Sequence, residues 1–256
     1  MASPHDALPI GSVVFALIDP SPGHEIDFNH WYERDHYYTA GAAAPGVFSA
    51  GRYIAPRSCK DLRGDTGIGA DLGSHLALYF VMDGHDDARV AWATEQVGLA
   101  ADEDRMFTER SHVHTWSYGV EWTLSSRLGG VPPALALDRR YAAASIVMVD
   151  LPTGADREDS VAALRSAWSD AGLDGAVAVT LALRPGYEIM PATALGEVDA
   201  DRRLTLVCFH DGDVGAGWRV VRSGVAELER DEICSVVWAS PFLVSVFGTD
   251  LYADEL

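Results

Sequence analysis

Hydrophobic and polar positions follow two periods along the chain, and the alternation between them predicts strands and helices. Short apolar runs rich in β-branched residues predict strands at residues 11–18, 47–54, 75–82 and 112–124. Helical spacing predicts helices at about 25–42 and 86–107. The second half repeats the series, with strands at 143–151, 176–183, 203–210 and 235–246 and helices at 157–171 and 217–231.

The order strand, helix, strand, strand, helix, strand therefore occurs twice, and it is the order of a ferredoxin-like unit. Short motifs also repeat about half a chain apart, such as residues 76–84 and residues 204–212. Each four-stranded sheet would leave one apolar face uncovered. The fold class we predict is α+β, with two fused ferredoxin-like (βαββαβ) units packed sheet to sheet. The predicted units are residues 1–126, which carry the site, and residues 127–256, a structural partner.

Composition and charge narrow the class of protein. Hydrophobic residues make up 48% and charged residues 22% of the chain, as in globular proteins. The formal net charge of −19 disfavours nucleic acid and anionic membranes as partners. No apolar run is long enough for a membrane span, and no secretory signal is visible. Three cysteines without CxxC spacing are typical of reduced thiols, so a cytoplasmic location is expected.

The first helix carries most of the candidate chemistry. On an α-helical wheel one broad stripe holds Phe28, Trp31, Tyr32, Asp35, His36 and Tyr38. Asp35 and His36 are thereby turned towards the interior, where a polar group needs a partner. Two interpretations stay open. Either His36 is bonded to a backbone carbonyl at the edge of the core and Asp35 is paired, or both line a cavity in which His36 transfers protons.

A strand supplies the second candidate set. Simple alternation places His112, His114, Trp116 and Tyr118 on one face. This face could line a ligand, or it could be a packed aromatic ladder with solvated histidines. Metal chelation by the two histidines, with Asp35 or His36 as third ligand, and haem binding through His36 are less favoured. We predict no metal and no cofactor. Because the helix at 157–168 has no histidine, one site per chain is expected.

These residues also resemble a known family. Trp31-Tyr32-x-x-x-His36 after residues 27–29, then residues 45–47 and Arg52-Tyr53, are similar to EthD-like members of the dimeric α/β-barrel superfamily. The resemblance covers about residues 12 to 122. It implies an intramolecular dimeric α/β barrel, made by both units in one polypeptide, and a pocket between helices and sheet. It places His36 where the family has its helix histidine, whereas Tyr37 and Tyr38 replace the usual aliphatic residue and proline.

The preferred functional hypothesis is a cofactor-independent enzyme that acts on a small, apolar, cyclic metabolite by elimination, isomerisation or cyclisation. His36, Asp35 and Tyr32 are the expected catalytic residues. The expected substrate-binding residues are Trp31, Phe28, His112, His114, Trp116 and Tyr118. The alternatives are a cofactor-free monooxygenase of a polyketide-like phenol and a non-catalytic binding or accessory protein. The expected partner is a small molecule, with no nucleic acid and no membrane. Homodimerisation of the fused barrel is left open.

Overall fold

The structure is a computed structural model, and it describes residues 10–64, 69–125, 131–172, 177–188 and 199–256. The predicted boundary between residues 126 and 127 lies outside the described residues, as does part of the glycine-rich loop expected at 57–73.

The first half contains four strands and a helical layer. Its strands are β1 (Ile10–Pro20), β2 (Val47–Ile54), β3 (His75–Met82) and β4 (Arg110–Leu124). Its helices are α1 (Glu25–Trp31), which continues as a π-helix (Tyr32–Ala42), then α2 (Arg57–Lys60) and α3 (Asp86–Asp102). The helix predicted to reach residue 107 ends at Asp102. Asp104 takes the left-handed conformation, with φ 54°, which an α-helix does not accommodate.

The second half has the same order after a short connecting helix. Its strands are β5 (Ala143–Asp150), β6 (Val177–Glu188), β7 (Arg203–His210) and β8 (Ser235–Val244). Its helices are α4 (Pro133–Ala136), α5 (Arg157–Asp170) and α6 (Val214–Arg230). Aspartates cap α5 and α6: the carboxylates of Asp156 and Asp213 accept the backbone N–H of the residue three positions on.

The eight strands form one closed antiparallel barrel in the order β1-β3-β2-β8-β5-β7-β6-β4. The sequence predicted two units packed sheet to sheet as a barrel, and in the structure the strands of both halves join edge to edge in one closed sheet. Closure removes unpaired strand edges, which are otherwise sites of aggregation. The two seams between the halves differ: β4 and β6 align over seven residue pairs, but β2 and β8 over only two.

The barrel interior is the main core, and the helices cover its outer face. Alternation along β1 turns Val13, Phe15 and Leu17 inward, whereas Ala16 and Ile18 face the helices of the first half. Ala136 and Leu137, at the end of α4 and just after it, pack into the interior cluster. None of the described helices has both the length and the hydrophobicity that a bilayer span requires.

The sequence repeat and the strand faces do not agree everywhere. Leu76 and Leu78 of β3 point into the barrel, but Leu204 and Leu206, matched to them by sequence, point outward against α5 and α6. Because side chains alternate with a period of two, a shift of one residue reverses the face. Residues 76–84 and 204–212 are therefore similar in sequence, but their matched leucines point to opposite faces of the sheet.

Candidate functional site

A cavity of about 250 Å³ lies between the π-helix, α3 and the outer face of the sheet. The sheet contributes apolar side chains from β1 and the polar end of β4. The lining residues are Val14, Ala16, Ile18, Tyr32, His36, Ala40, Gly41, Val47, Tyr79, Arg89, Ala93, Val97, Met106, Arg110, His112 and Thr115. Most of this surface is apolar, and the polar groups are concentrated at His36, Arg110 and His112. Such a surface suits a small apolar ligand oriented by a few polar groups.

The π-helix decides which side chains reach the cavity. In a π-helix each turn is closed by an i→i+5 hydrogen bond, and such turns are frequent at functional sites. Tyr32 and Tyr37, five residues apart, are both buried, whereas Tyr38 is 64% exposed. The α-helical wheel predicted the opposite for Tyr37 and Tyr38, and it was wrong because the helix has a wider turn.

Close contact between the π-helix and the sheet depends on one glycine. A Cβ on Gly41 would lie 2.1 Å from Cε1 of Tyr79. No side chain fits there, so glycine allows the helix to approach Tyr79 and to complete the cavity wall.

His36 reaches the cavity and is held by aromatic rings. Its imidazole stacks on Trp31, with centroids 4.4 Å apart, and meets Tyr32 edge-on at 5.1 Å. Burial, reinforced by the positive charge of Arg110, lowers the pKa of His36 from 6.5 to about 4, although the Asp35 carboxylate acts in the opposite direction. The ring is therefore neutral at pH 7 and can accept a proton.

The sequence predicted that Asp35 would line the cavity, but in the structure it does not. Its carboxylate forms an ion pair with Arg105 and accepts a hydrogen bond from the Thr39 hydroxyl. The backbone carbonyl of Arg105 in turn accepts the indole N–H of Trp31 at 2.7 Å. The i→i+5 geometry turns Asp35 away from the cavity. Through Arg105, Asp35 helps to hold Trp31, on which His36 stacks.

Tyr32 lines the cavity as predicted, and it belongs to a polar cluster that sequence reasoning missed. Its hydroxyl lies 3.2 Å from that of Tyr79, and the guanidinium of Arg52 lies 4.5 Å from the centre of its ring. Arg52 is 2% exposed and donates to Asn29 and Glu33. Burial raises the pKa of Tyr32, so both tyrosines are neutral hydrogen-bond donors at pH 7.

Residues near the carboxyl end of the chain hold α1 and the π-helix in place. The backbone N–H of Gly248 donates to Glu33, and the side-chain amide of Asn29 donates to the carbonyl of Thr249 at 3.0 Å. His30 lies 2.8 Å from the carboxylate of Asp250. The second half of the chain thus contributes to the position of the helix that bears His36.

Phe28 and Trp31 do not line the cavity, contrary to expectation. Phe28 is fully buried and packs on the ring of His75 at a centroid distance of 4.9 Å. Trp31 stacks on the imidazole of His36, and the guanidinium of Arg110 lies over the Trp31 ring, 4.7 Å from the ring centre. Both residues lie behind the side chains that line the cavity and pack against them.

A β-bulge in β4 separates the two strand histidines. His114 pairs with Leu17 and His112 pairs with Ile18, so Val113 is an extra residue between them. His112 therefore faces the cavity, where its Nδ1 lies 2.7 Å from the hydroxyl of Thr115. Burial, followed by the charge of Arg110, lowers the pKa of His112 to about 4.

His114, Trp116 and Tyr118 lie inside the barrel, so their predicted role in lining the site is wrong. His114 is 1% exposed, and its Nε2 lies 2.6 Å from the hydroxyl of Tyr118. Trp116 stacks on His114 from the same side of the sheet. The bulge defeats simple alternation, and it also prevents His112 and His114 from chelating one metal. Among the described residues, no cluster of three metal-binding side chains occurs.

Two arginines give the cavity a positive character. Arg110 lies two residues before His112 on the same face of β4, and Arg89 reaches the lining from α3. Among the described residues, no carboxylate lines this cavity, although the chain carries a net charge of −19. Alternation from His112 could have identified Arg110, but nothing in the sequence pointed to Arg89.

Comparisons with known proteins show the fold. No protein-family model and no curated protein matches the chain. A mutant chlorite dismutase from Candidatus Nitrospira defluvii in complex with cyanide is 10% identical, with a TM-score of 0.52 over 95% of this chain and 93% of the other. An anthrone oxidase-like protein is 13% identical, with a TM-score of 0.51 over 93% and 92%. A haem-binding protein from Thermus thermophilus is 10% identical, with a TM-score of 0.51 over 93% of each chain. The chain has their α+β barrel fold.

The cavity does not fit a haem. Its volume of about 250 Å³ is below the roughly 300 to 1,000 Å³ of ordinary small-molecule pockets, and a porphyrin needs a broad slot. The dimensions suit a smaller molecule.

Proposed function

We propose that the cavity binds a small, largely apolar, cyclic molecule with an acidic hydroxyl or an activated C–H bond, and that His36 removes its proton. The observation that carries this proposal is a neutral imidazole in an aromatic-backed cavity whose lining contains arginine and no described carboxylate. General base catalysis of this kind contributes about 10²- to 10⁴-fold.

The electrostatics of the cavity favour formation of an anion. A substrate that loses its proton next to Arg110 and Arg89 becomes a phenolate or enolate beside two cations. The same anion would raise the pKa of the adjacent imidazole and offset its desolvation. The product of the transfer is therefore an ion pair of imidazolium and anion, which offsets part of the cost of charging the buried His36. The hydroxyls of Tyr32 and Tyr79 supply neutral donors to the developing negative charge.

Cofactor-free oxygenation is the reaction that we favour. An anthrone-type CH₂ group that has lost a proton to His36 is an electron-rich carbanion and can reduce dioxygen itself. The overall change is R₂CH₂ + O₂ → R₂C=O + H₂O, in which the carbon loses four electrons and dioxygen gains them. One oxygen atom enters the product and the other leaves as water. The shared fold with an anthrone oxidase-like protein supports this reaction.

Proton transfer without dioxygen is the second candidate, and one observation favours it. His36 and His112 both line the cavity. One imidazole could remove a proton and the other could return it at a different atom, as elimination or isomerisation requires. Dioxygen consumption separates the two reactions, since only the first uses it. A non-catalytic binding protein would show ligand affinity and no turnover.

The test of the proposed function compares two residues of the same helix. Oxygen uptake is followed with anthrone as the probe in the wild type, His36→Ala and Arg34→Ala proteins. Arg34 is exposed and does not line the cavity, so its substitution controls for general damage to the helix. We expect His36→Ala to lower the rate about 100-fold or more and Arg34→Ala to leave it nearly unchanged. Equal rates in all three proteins would remove His36 from the chemistry.

We further propose that the chain is a tandem duplication of one ferredoxin-like unit, related to the EthD-like branch and divided near residue 126. The strand order supports this, because β4-β1-β3-β2 and β8-β5-β7-β6 follow each other around the barrel with equivalent connections. Co-expression of residues 1–126 and 127–256 as separate chains tests the division. A stable complex with the circular dichroism spectrum of the intact protein is expected, whereas insoluble halves would oppose it.

A further inference from the structure

A second cavity of about 180 Å³ lies on the inner face of the barrel, at the seam between β2 and β8. It shares no lining residue with the first cavity, from which β2 and β3 separate it. Its origin is the short alignment of β2 with β8, in which Tyr53 and Ile54 pair with β8 and the carbonyl of Arg52 accepts the N–H of Ser245. The strands diverge beyond this point, and residues 137–141 occupy the opposite wall.

The floor of this second cavity is aromatic and rigid. Phe209 is at its centre, 1% exposed, with ring centroids of Tyr141, Tyr53 and Phe80 at 5.4, 5.9 and 6.2 Å. Tyr141 is fixed by its hydroxyl, which donates to the carbonyl of Ala136 at 2.6 Å. Where these rings reach the cavity, they form an apolar floor for a planar ligand.

Two hydroxyl groups in the lining belong to buried residues and have no hydrogen-bond partner among the described residues. Tyr53 is 5% exposed and Ser245 is 6% exposed, and neither hydroxyl bonds to any described residue. The Tyr53 oxygen lies 3.2 Å from the place where a Cβ of Gly51 would stand, so the absence of a side chain at residue 51 leaves room beside it. Both residues line the cavity, so their hydroxyls are available to a ligand.

Arginine completes the donor set at the rim. Arg140 lies over the ring of Phe247 at 4.7 Å, and no described carboxylate lies within 4.0 Å of its guanidinium. Its neighbour Arg139 is already paired with Asp211 and stacks on Tyr141. Asp138 also lines the rim and is exposed to solvent.

We propose that this second cavity binds a small carboxylate with a planar apolar body, in which the carboxylate meets Arg140, Tyr53 and Ser245 and the ring lies on Phe209. A guanidinium and two hydroxyls are all donors, which matches the acceptor-only character of an ionised carboxylate. The bound body would fill the gap at the seam. This site is independent of the reaction at His36.

The test uses benzoate as the probe and the full-length protein. Isothermal titration calorimetry gives the affinity for benzoate and for benzamide, its uncharged analogue. Backbone amide NMR shifts locate the ligand, and the amides of Gly51 and residues 139–141 are expected to move. Arg140→Gln should weaken benzoate binding about tenfold or more, since it removes a charge-assisted contact. Tyr53→Phe should weaken it several-fold, and Asp138→Asn should strengthen it.

Arg222→Gln is the matched control, because Arg222 is also stacked on an aromatic ring, that of Trp218 at 6.0 Å, away from this cavity. It should leave benzoate affinity unchanged. The proposal is overturned if benzoate does not bind at millimolar concentration, if benzamide binds as tightly, or if both arginine variants weaken binding equally. Shifts confined to residues 36–41 and 110–115 would also overturn it, since they place benzoate in the first cavity.

Discussion

Helices α3 and α6 occupy equivalent places in the two halves, and they differ in how closely they pack on the sheet beneath them. Each has 17 residues and follows the third strand of its half. In α6 the buried residues are Trp218, Val221, Gly224, Val225 and Leu228, which fill the space above the sheet. In α3 only Arg89 and Ala100 are buried. The sheet beneath α3 is therefore not covered by close packing, and a cavity remains.

A cavity can therefore arise where the helix above a sheet buries few side chains against it. The first-half layer places small residues such as Ala93, Ala40 and Gly41 around the cavity. The second half places Trp168, Leu164 and Trp218 at its helix–sheet contact. Interiors are normally close-packed, so a persistent hollow needs rigid walls, and the aromatic stack around His36 supplies one.

The largest expected effect comes from a substitution in α6, the closely packed helix of the two. Trp218→Ala should lower the free energy of unfolding by about 3–5 kcal/mol, because it removes a large side chain that is 2% exposed. Val97→Ala in α3 should change it by less than about 1 kcal/mol, because Val97 is 40% exposed. Urea denaturation followed by circular dichroism measures both. Similar losses in the two variants would contradict the contrast between the helices.

A pair of glycine substitutions sharpens the comparison within the first half. Gly41→Ala places a methyl group against the ring of Tyr79 and should destabilise the protein by about 1–3 kcal/mol. Gly98→Ala lies in α3 with nothing within 4 Å of the new methyl group, and it should stabilise by about 0.5–1 kcal/mol. Thermal denaturation of both variants against wild type gives the signs. A neutral Gly41→Ala would mean that the π-helix does not rest on Tyr79.

The smallest expected effect is that His36 and His112 do not titrate near neutral pH. Because burial lowers the pKa values of His36 and His112 to about 4, their imidazole NMR signals should stay nearly constant between pH 8 and about 5.5. A midpoint near 6.5 for either ring would show that it lies in water. His36→Gln and His112→Gln assign the two signals.

The same pKa values set the direction of the pH dependence of stability. The unfolded chain protonates these histidines near pH 6.5, whereas the folded chain protonates them near 4. Between these values the unfolded state binds more protons, so the free energy of unfolding falls as the pH falls. In each of the two glutamine variants this slope should become shallower, and urea titrations at several pH values measure it.

The sequence predicted the elements well because each is encoded locally. The bounds of β2 and β3 match the apolar runs, and Pro45-Gly46 marks the end of the first helix. Placement of His36 and Tyr32 at a cavity between helix and sheet agreed with the structure, since both lie on the side of the helix that carries the aromatic stripe. Patterns of apolar residues and turn formers contain this information directly.

The residues that the sequence misplaced lie where a helix or a strand departs from its regular period. Asp35 was misplaced because a wheel assumes α-helical turns, and His114 was misplaced because alternation assumes no bulge. Arg52 belongs to the motif that resembles the EthD-like family, but its burial against Tyr32 depends on contacts with Asn29 and Glu33 that no local pattern encodes. Closure of the barrel is likewise decided by pairing between residues far apart in the chain.

The contacts between α1, the π-helix and residues 248–250 have a consequence for biosynthesis. Glu33, Asn29 and His30 find partners that are 215 or more positions further along the chain. A nascent chain whose residues beyond 247 are still within the ribosome therefore has a first half without these anchors. The helix that bears His36 is secured only after almost the whole barrel has been translated.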